Sequence, residues 1–144
     1  MLQKVQRNGN ALQFASDELC ADREVVLAAI NQNGNALQFA SNELRADKEI
    51  VLIAIDQNGW SLEYACDKLR ANKEVVLAAV SCHGTSLKFA CHELRVDKEV
   101  VMAAVESNAF ALAYSASELH GDGEFLWDCW NARGKKRRID EEHF

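Results

Sequence analysis

The chain has 144 residues, 49% of them apolar, with no proline, five cysteines, and sixteen basic against twenty-two acidic side chains, a net charge of −6. An acidic body repels phosphate, which argues against nucleic acid as a partner, and no apolar run reaches the roughly 20 residues a membrane span needs. The cysteines lack disulfide-framework spacing and the N-terminus, Met1-Leu2-Gln3-Lys4-Val5, has no signal-peptide core, so an intracellular, reducing location is expected.

Residues 1–9 match only the end of a unit that then recurs every 25 residues without insertion or deletion. Asn8-Gly9 returns as Asn33-Gly34, Asn58-Gly59 and His83-Gly84, weakens to Asn108-Ala109, and reappears as Arg133-Gly134. Leucine recurs at Leu12, Leu37, Leu62, Leu87 and Leu112, and glutamate at Glu24, Glu49, Glu74, Glu99 and Glu124. Fixed-period self-similarity predicts a stacked array. The expected fold is all-α, a solenoid of short helical hairpins. Its units lie near residues 10–34, 35–59, 60–84, 85–109 and 110–134, in one array over 1–134.

Within the type unit, residues 35–45 read as one short helix, with Leu37, Ala40 and Leu44 on one face and Phe39 opposite. Asp47 is a suitable N-cap for a second helix from Lys48 to about Gln57. Ile50, Val51, Leu52, Ala54 and Ile55 leave that helix apolar nearly all round, so it should be the more buried of the two. Asn58-Gly59 should close it, with glycine in the left-handed conformation. On that reading Ala109 carries a penalty that its glycine counterparts avoid. The small slots Ala15, Ala40, Ala65, Ala90 and Ala29, Ala54, Ala79, Ala104 should let neighbouring helices approach closely.

In the last unit Trp127 and Trp130 take the slots of Leu27 and Ile30. Two readings fit. The rings fold over the open end as a cap, the preferred one, because terminal units need special faces; or they stay exposed and bind a second copy or a partner. Beyond Gly134, residues 135–144 read as a charged, flexible tail. Its Lys135-Lys136-Arg137-Arg138 run resembles a nuclear-import signal, followed at once by the acidic Asp140-Glu141-Glu142.

The pattern Asp-Lys-Glu-Val-Val-x-Ala-Ala-Val-x-x-Asn-Gly-x-x-Leu-x-x-Ala-x-x-Glu-Leu resembles the family described as domain of unknown function 4116. It appears from Asp47-Lys48-Glu49-Ile50-Val51 through Leu69, and from Asp97-Lys98-Glu99-Val100-Val101 through Leu119. Asn72-Lys73-Glu74-Val75-Val76 opens a third copy. The resemblance implies a helical repeat array and brings no catalytic residues. Ala109, the aromatic last helix and the basic tail depart from it.

Candidate sites are few. Cys82, His83, Cys91 and His92 form a legal zinc set, but the repeat explains each as drift at an ordinary slot and no C-x-x-C pair is present, so no metal is expected. Arg45, Arg70 and Arg95 are stacked equivalents, either a ladder gripping an acidic peptide or phosphate, or, the preferred reading, complements to helix C-termini with salt bridges to nearby carboxylates. Trp60 and Phe110, each with a tyrosine four residues on (Tyr64 and Tyr114), are candidate contact spots, as are Trp127 and Trp130. The variable slots Gln13, Gln38, Glu63, Lys88, Ala113 and Asp17, Asn42, Asp67, His92, Ser117 should lie four apart on one polar side.

No hydrolase elbow, phosphate loop or metalloprotease motif occurs, and no cofactor is implied. The expectation is a non-catalytic protein- or peptide-interaction scaffold, monomeric or weakly dimeric through an array end. The alternatives are a structural or self-associating spacer, or a binding domain of a larger multidomain protein. The expected location is cytoplasmic, or nuclear through the basic run.

Overall fold

A computed structural model describes the backbone of residues 1–142 and the side chains of residues 1–134. Among the described residues there is no strand, and the 25-residue period is structural. The elements in chain order are α1 (Leu2–Arg7), a 3₁₀ segment (Gly9–Phe14), α2 (Asp17–Cys20) and α3 (Arg23–Gln32). A second 3₁₀ segment (Gly34–Phe39), α4 (Asn42–Arg45) and α5 (Lys48–Gln57) follow, then Gly59–Tyr64, α6 (Asp67–Arg70) and α7 (Lys73–Cys82). Gly84–Phe89, α8 (His92–Arg95) and α9 (Lys98–Ser107) make the fourth unit; Ala109–Tyr114, α10 (Ser117–His120) and α11 (Gly123–Glu142) make the last.

The expected single helix over residues 35–45 is two pieces. The backbone is extended at Ala40 (φ −71°, ψ 155°) and Ser41 (φ −59°, ψ 160°), between the 3₁₀ segment and α4. The reason lies in the neighbouring unit. The Ser41 N–H donates to the carbonyl of Cys20, 2.8 Å away, where a continuous helix would have spent it internally. Cys66 to Arg45, Cys91 to Arg70 and Ala116 to Arg95 repeat this bond at 3.0, 3.1 and 2.9 Å. Each unit thus exchanges one intrahelical bond for a rung to the unit before it. The 3₁₀ segments are started by the asparagines: Asn8, Asn33, Asn58 and Asn108 each accept, through the side chain, the N–H two residues on.

The long helices are capped as expected. Asp22, Asp47, Asn72, Asp97 and Asp122 accept first-turn N–H groups at 2.9–3.2 Å. Their far ends are not closed by left-handed glycine, because no described residue has a positive φ. The glycines are needed for space. A Cβ on Gly9, Gly34, Gly59 or Gly84 would lie 2.2–2.6 Å from the carbonyl oxygen of Ala29, Ala54, Ala79 or Ala104 in the following long helix. Those alanines are fully buried, so the small slots do bring the units close. Ala109 is half-buried where its glycine counterparts are buried, which marks a looser fifth joint.

Long helices form one layer, and the 3₁₀ segments with the short helices form the other. A single core of valine, isoleucine, leucine and alanine runs between them from Val5 to Cys129. At the C-terminal end the chain does not leave the helix at Gly134: α11 runs on to Glu142. A Cβ on Gly134 would meet nothing within 4 Å, so the close backbone approach made at interior joints is not made here. The lysines, arginines and glutamates beyond it are good helix formers.

Nor do the tryptophans fold back as a cap. Trp127 is 64% and Trp130 75% exposed, whereas Ile30, Ile55, Val80 and Val105 in the Trp130 slot are at most 3% exposed. Among the described residues the neighbouring long helix, α9, lies on the face that carries the buried Phe125 and Cys129. Side chains on a helix cannot swing round to the opposite face. Leu112 and Leu126, in the same last unit, are half-buried where their counterparts are buried.

Candidate interaction surface

The long-helix layer has an outward row. In α3 Glu24 and Asn31 are exposed and Leu27 and Ala28 half-buried, at i, i+3, i+4 and i+7 of one helical face. The same slots give Leu52 and Ile53, Leu77 and Ala78, Met102 and Ala103 in the next three units, and the row ends at Trp127. The result is a half-exposed apolar strip crossing the array, with a groove of about 730 Å³ over α5 lined by Asn31, Lys48, Leu52, Ile53, Asp56 and Gln57 among others. These helices are the more buried of the two in each unit, as expected, but their apolar surface is not all covered. Three apolar rows serve the core and the neighbours; the fourth faces out.

Both edges of the strip are polar. On the N-terminal edge an ionic ladder joins successive units. Arg23 reaches Asp47 at 2.7 Å and Glu49 at 2.5 Å, and Lys48 reaches Glu74 at 2.5 Å. Lys73 reaches Asp97 at 2.8 Å and Glu99 at 2.7 Å, and Lys98 reaches Asp122 at 2.7 Å. The capped Ile50 N–H, with Arg23 beside it, holds the Asp47 carboxyl below its ordinary range. Lys73 and then the Val100 N–H do the same for Asp97, and Lys98 and then the Phe125 N–H for Asp122. The opposite edge, the Asn31 slot, carries Asn31, Asp56, Ser81, Glu106 and Asn131, of which two are acidic; Asp128 takes the Ala28 slot inside the strip. Between Asp22 and Asn131 the long helices and their caps hold twelve carboxylates and four basic groups, more negative charge than the whole chain's net of −6.

The other sequence-predicted residues lie elsewhere. Arg45 is a tie between units, its Nε–H donating to the Tyr64 carbonyl at 2.7 Å. Arg70 pairs with Asp67, and the Nε atoms of Arg70 and Arg95 are buried without a hydrogen-bond partner. These two arginines border a recess of about 250 Å³ with Asp67, Lys88, Phe89 and Cys91. The three arginines do not form one continuous exposed ladder.

Trp60, 46% exposed, has His83 of the next unit as its ring partner (centroids 4.9 Å apart) and donates from Nε1 to Thr85 Oγ at 3.0 Å. Four residues share a face in an α-helix, but in a 3₁₀ segment of three residues per turn they sit a third of a turn apart. Trp60 with Tyr64, and Phe110 with Tyr114, are therefore not the face pairs expected. Phe110 is 77% exposed and Tyr114 lies at the edge of exposure. The variable slots from Gln13 to Ser117 are all exposed, but on two separate pieces of helix instead of one.

His83 Nδ1 accepts from the Gly59 N–H at 3.2 Å and His92 Nε2 lies 3.1 Å from Glu118. Among the described residues no group of three or more His, Cys, Asp or Glu side chains is placed to hold a metal. No described helix is long and apolar enough to cross a membrane. The side chains of Lys135, Lys136, Arg137 and Arg138 lie outside the described residues.

The outward row was missed because an apolar run in a helix looks the same whether a fourth face is covered or open. The available signal was the polar pair that brackets it, Glu24 and Asn31 in the first unit, Glu49 and Asp56 in the next.

The repeat matches a family described as a domain of unknown function (DUF4116) three times, over residues 1–45, 22–70 and 72–120. The chain belongs to that family. No curated protein and no solved structure matches the chain.

Proposed function

We propose that this protein is a non-catalytic interaction scaffold that holds a protein or peptide along the outward row of its long helices. The supporting observation is repetition: Leu27, Leu52, Leu77, Met102 and Trp127 present one half-exposed apolar side chain per unit at fixed spacing. An apolar strip of that length on a rigid surface is a feature of interaction sites, and affinity in such arrays comes from many small contacts on a fixed frame. Recognition is a matter of surface fit, with no reaction and no cofactor. The location is intracellular, cytoplasmic or nuclear through residues 135–138.

Capture from the native source, with the natural chain and a Leu52→Asp/Leu77→Asp variant in parallel and mass spectrometry as readout, tests this. A partner held by the first and lost by the second, with both folded by circular dichroism, supports it. An identical set of captured proteins removes the long-helix face from consideration.

The exposed Trp130 favours a second reading, self-association through the C-terminal end. A Trp130→Lys change that lowers the mass in solution supports that reading; a monomer before and after the change removes it.

A further inference from the structure

We infer that the recess between the third and fourth units is an anion site that takes the dianion of a phosphate group, free or carried on a phosphorylated side chain. It lies in the layer of 3₁₀ segments and short helices, apart from the outward row, and stands independently of the scaffold reading. Asp67 and Arg70 of α6 border it on one side, and Lys88, Cys91 and Arg95 of the next unit on the other, around about 250 Å³.

Three observations lead there. The first is the repeat. Short helices end in arginine at Arg45, Arg70 and Arg95, and in Cys20 and His120 elsewhere. Two joints therefore have an arginine on either side. At one of them the variable slot between the arginines is Glu63; at the other it is Lys88. Three cations meet at this joint alone.

The second is how little the chain neutralises them. Arg45 is occupied by the Tyr64 carbonyl, and Arg70 pairs with Asp67. Among the described residues Arg95 makes no ion pair and no side-chain hydrogen bond, and its Nε is buried without a partner. Lys88 has only the Phe89 ring, 4.6 Å from Nζ to the centroid. Glu93 is held by its own N–H and by the Cys91 thiol, and it does not line the recess. Asp67 answers one of the three positive charges, which leaves two.

The third is the match to a ligand. Guanidinium forks fit phosphate oxygens, and lysine adds a point charge. A phosphate monoester carries about −1.5 to −2 near neutral pH, against which two surplus cations balance. A carboxylate would answer only one of them. A nucleic acid offers single charges along a polyanion, which a body of net charge −6 repels. The recess is also smaller than the roughly 300–1,000 Å³ of pockets that enclose a whole drug-sized molecule, so it suits one group of a ligand.

The test titrates the full, isotope-labelled chain at about pH 7.5, where the monoester is a dianion, and follows backbone amides by nuclear magnetic resonance. The probes are inorganic phosphate, a short glycine-flanked phosphoserine peptide, and the same peptide with glutamate in place of phosphoserine. Saturable shifts confined to residues 67–70 and 88–95 are expected with the two phosphate probes, and binding weaker by about tenfold or more with the glutamate peptide. Lys88→Gln and Arg95→Gln should each weaken phosphate binding about tenfold, in variants shown by circular dichroism to be folded. Lys68→Gln removes the same charge from an exposed position on α6 outside the recess and should leave binding unchanged.

Free phosphate bound more tightly than the peptide would identify a small phosphate as the ligand, and the reverse order a phosphorylated partner; either upholds the site. Equal binding of the glutamate peptide would overturn the inference, as would a loss on Lys68→Gln equal to that on Lys88→Gln, which would mean diffuse charge attraction. The absence of saturable binding by both phosphate probes would overturn it as well.

Discussion

Ser86 is fully buried with its hydroxyl unpaired, while its repeat counterpart Ser61, equally buried, reaches Asn35 Oδ1 at 3.3 Å. Leaving a buried hydroxyl unsatisfied costs about 1–3 kcal/mol. Ser86→Ala should therefore stabilise the protein by about 1 kcal/mol, and Ser61→Ala should destabilise it slightly. Chemical unfolding of the two variants side by side checks both signs; a loss at position 86 would mean its oxygen has a partner. The glycines give a second contrast. Gly34→Ala drives a Cβ to 2.4 Å from the Ala54 carbonyl oxygen, a backbone atom held in a helix. The expected loss is about 3 kcal/mol, at the upper end of overpacking. Ala109→Gly meets no such need, since Ala109 already has an ordinary backbone and a looser joint. It should cost about 0.5–1 kcal/mol through the extra freedom of the unfolded chain. A gain in melting temperature would mean that the fifth joint is tighter than its half-buried alanine indicates.

At the scale of the helices, the ionic ladder sets a pH dependence. Asp47, Asp97 and Asp122 titrate below the ordinary carboxylate range when folded. Their contribution is present above the unfolded value near 4 and is lost as pH falls through the lower folded values. Stability should thus fall below about pH 4, and Lys73→Met should flatten part of that fall. Unfolding curves from pH 6 to pH 2 measure it, and parallel curves for the two chains would remove the ladder as a cause. Added salt should weaken it only modestly, because exposed pairs are worth less than about 1 kcal/mol each.

Much at this scale was legible in the residues. Aspartate caps and the alanine slots read correctly because each role leaves its own residue type. The glycines were located but misexplained, since a left-handed turn and a close approach both select glycine. The break at Ala40-Ser41 was invisible: neither residue opposes a helix, and the bond that causes it goes to Cys20 in another unit. Gly134 misled for the converse reason, having the look of a joint without the close backbone approach found at Gly9, Gly34, Gly59 and Gly84. The candidate surface was legible only at Trp127, the one member of the outward row that differs conspicuously from core residues.

For the molecule as a whole, contacts are between neighbouring units, so stability is set by pairs of units and not by one central core. Cutting the chain near Asn58 should leave at least one half much less stable than the intact array, which thermal unfolding of the two pieces measures against the whole. The rungs from Ser41 to Cys20, Cys66 to Arg45, Cys91 to Arg70 and Ala116 to Arg95 have a mechanical consequence. They lie along the array axis, one per joint, so tension applied at the two ends loads each joint in series. The array should then yield one unit at a time, each event paying out a 25-residue segment, about 85 Å of contour at 3.3–3.6 Å per residue, and re-form when slackened. Pulled between two anchors, such a chain is a spring that gives way in equal steps, and its extension counts the joints still closed.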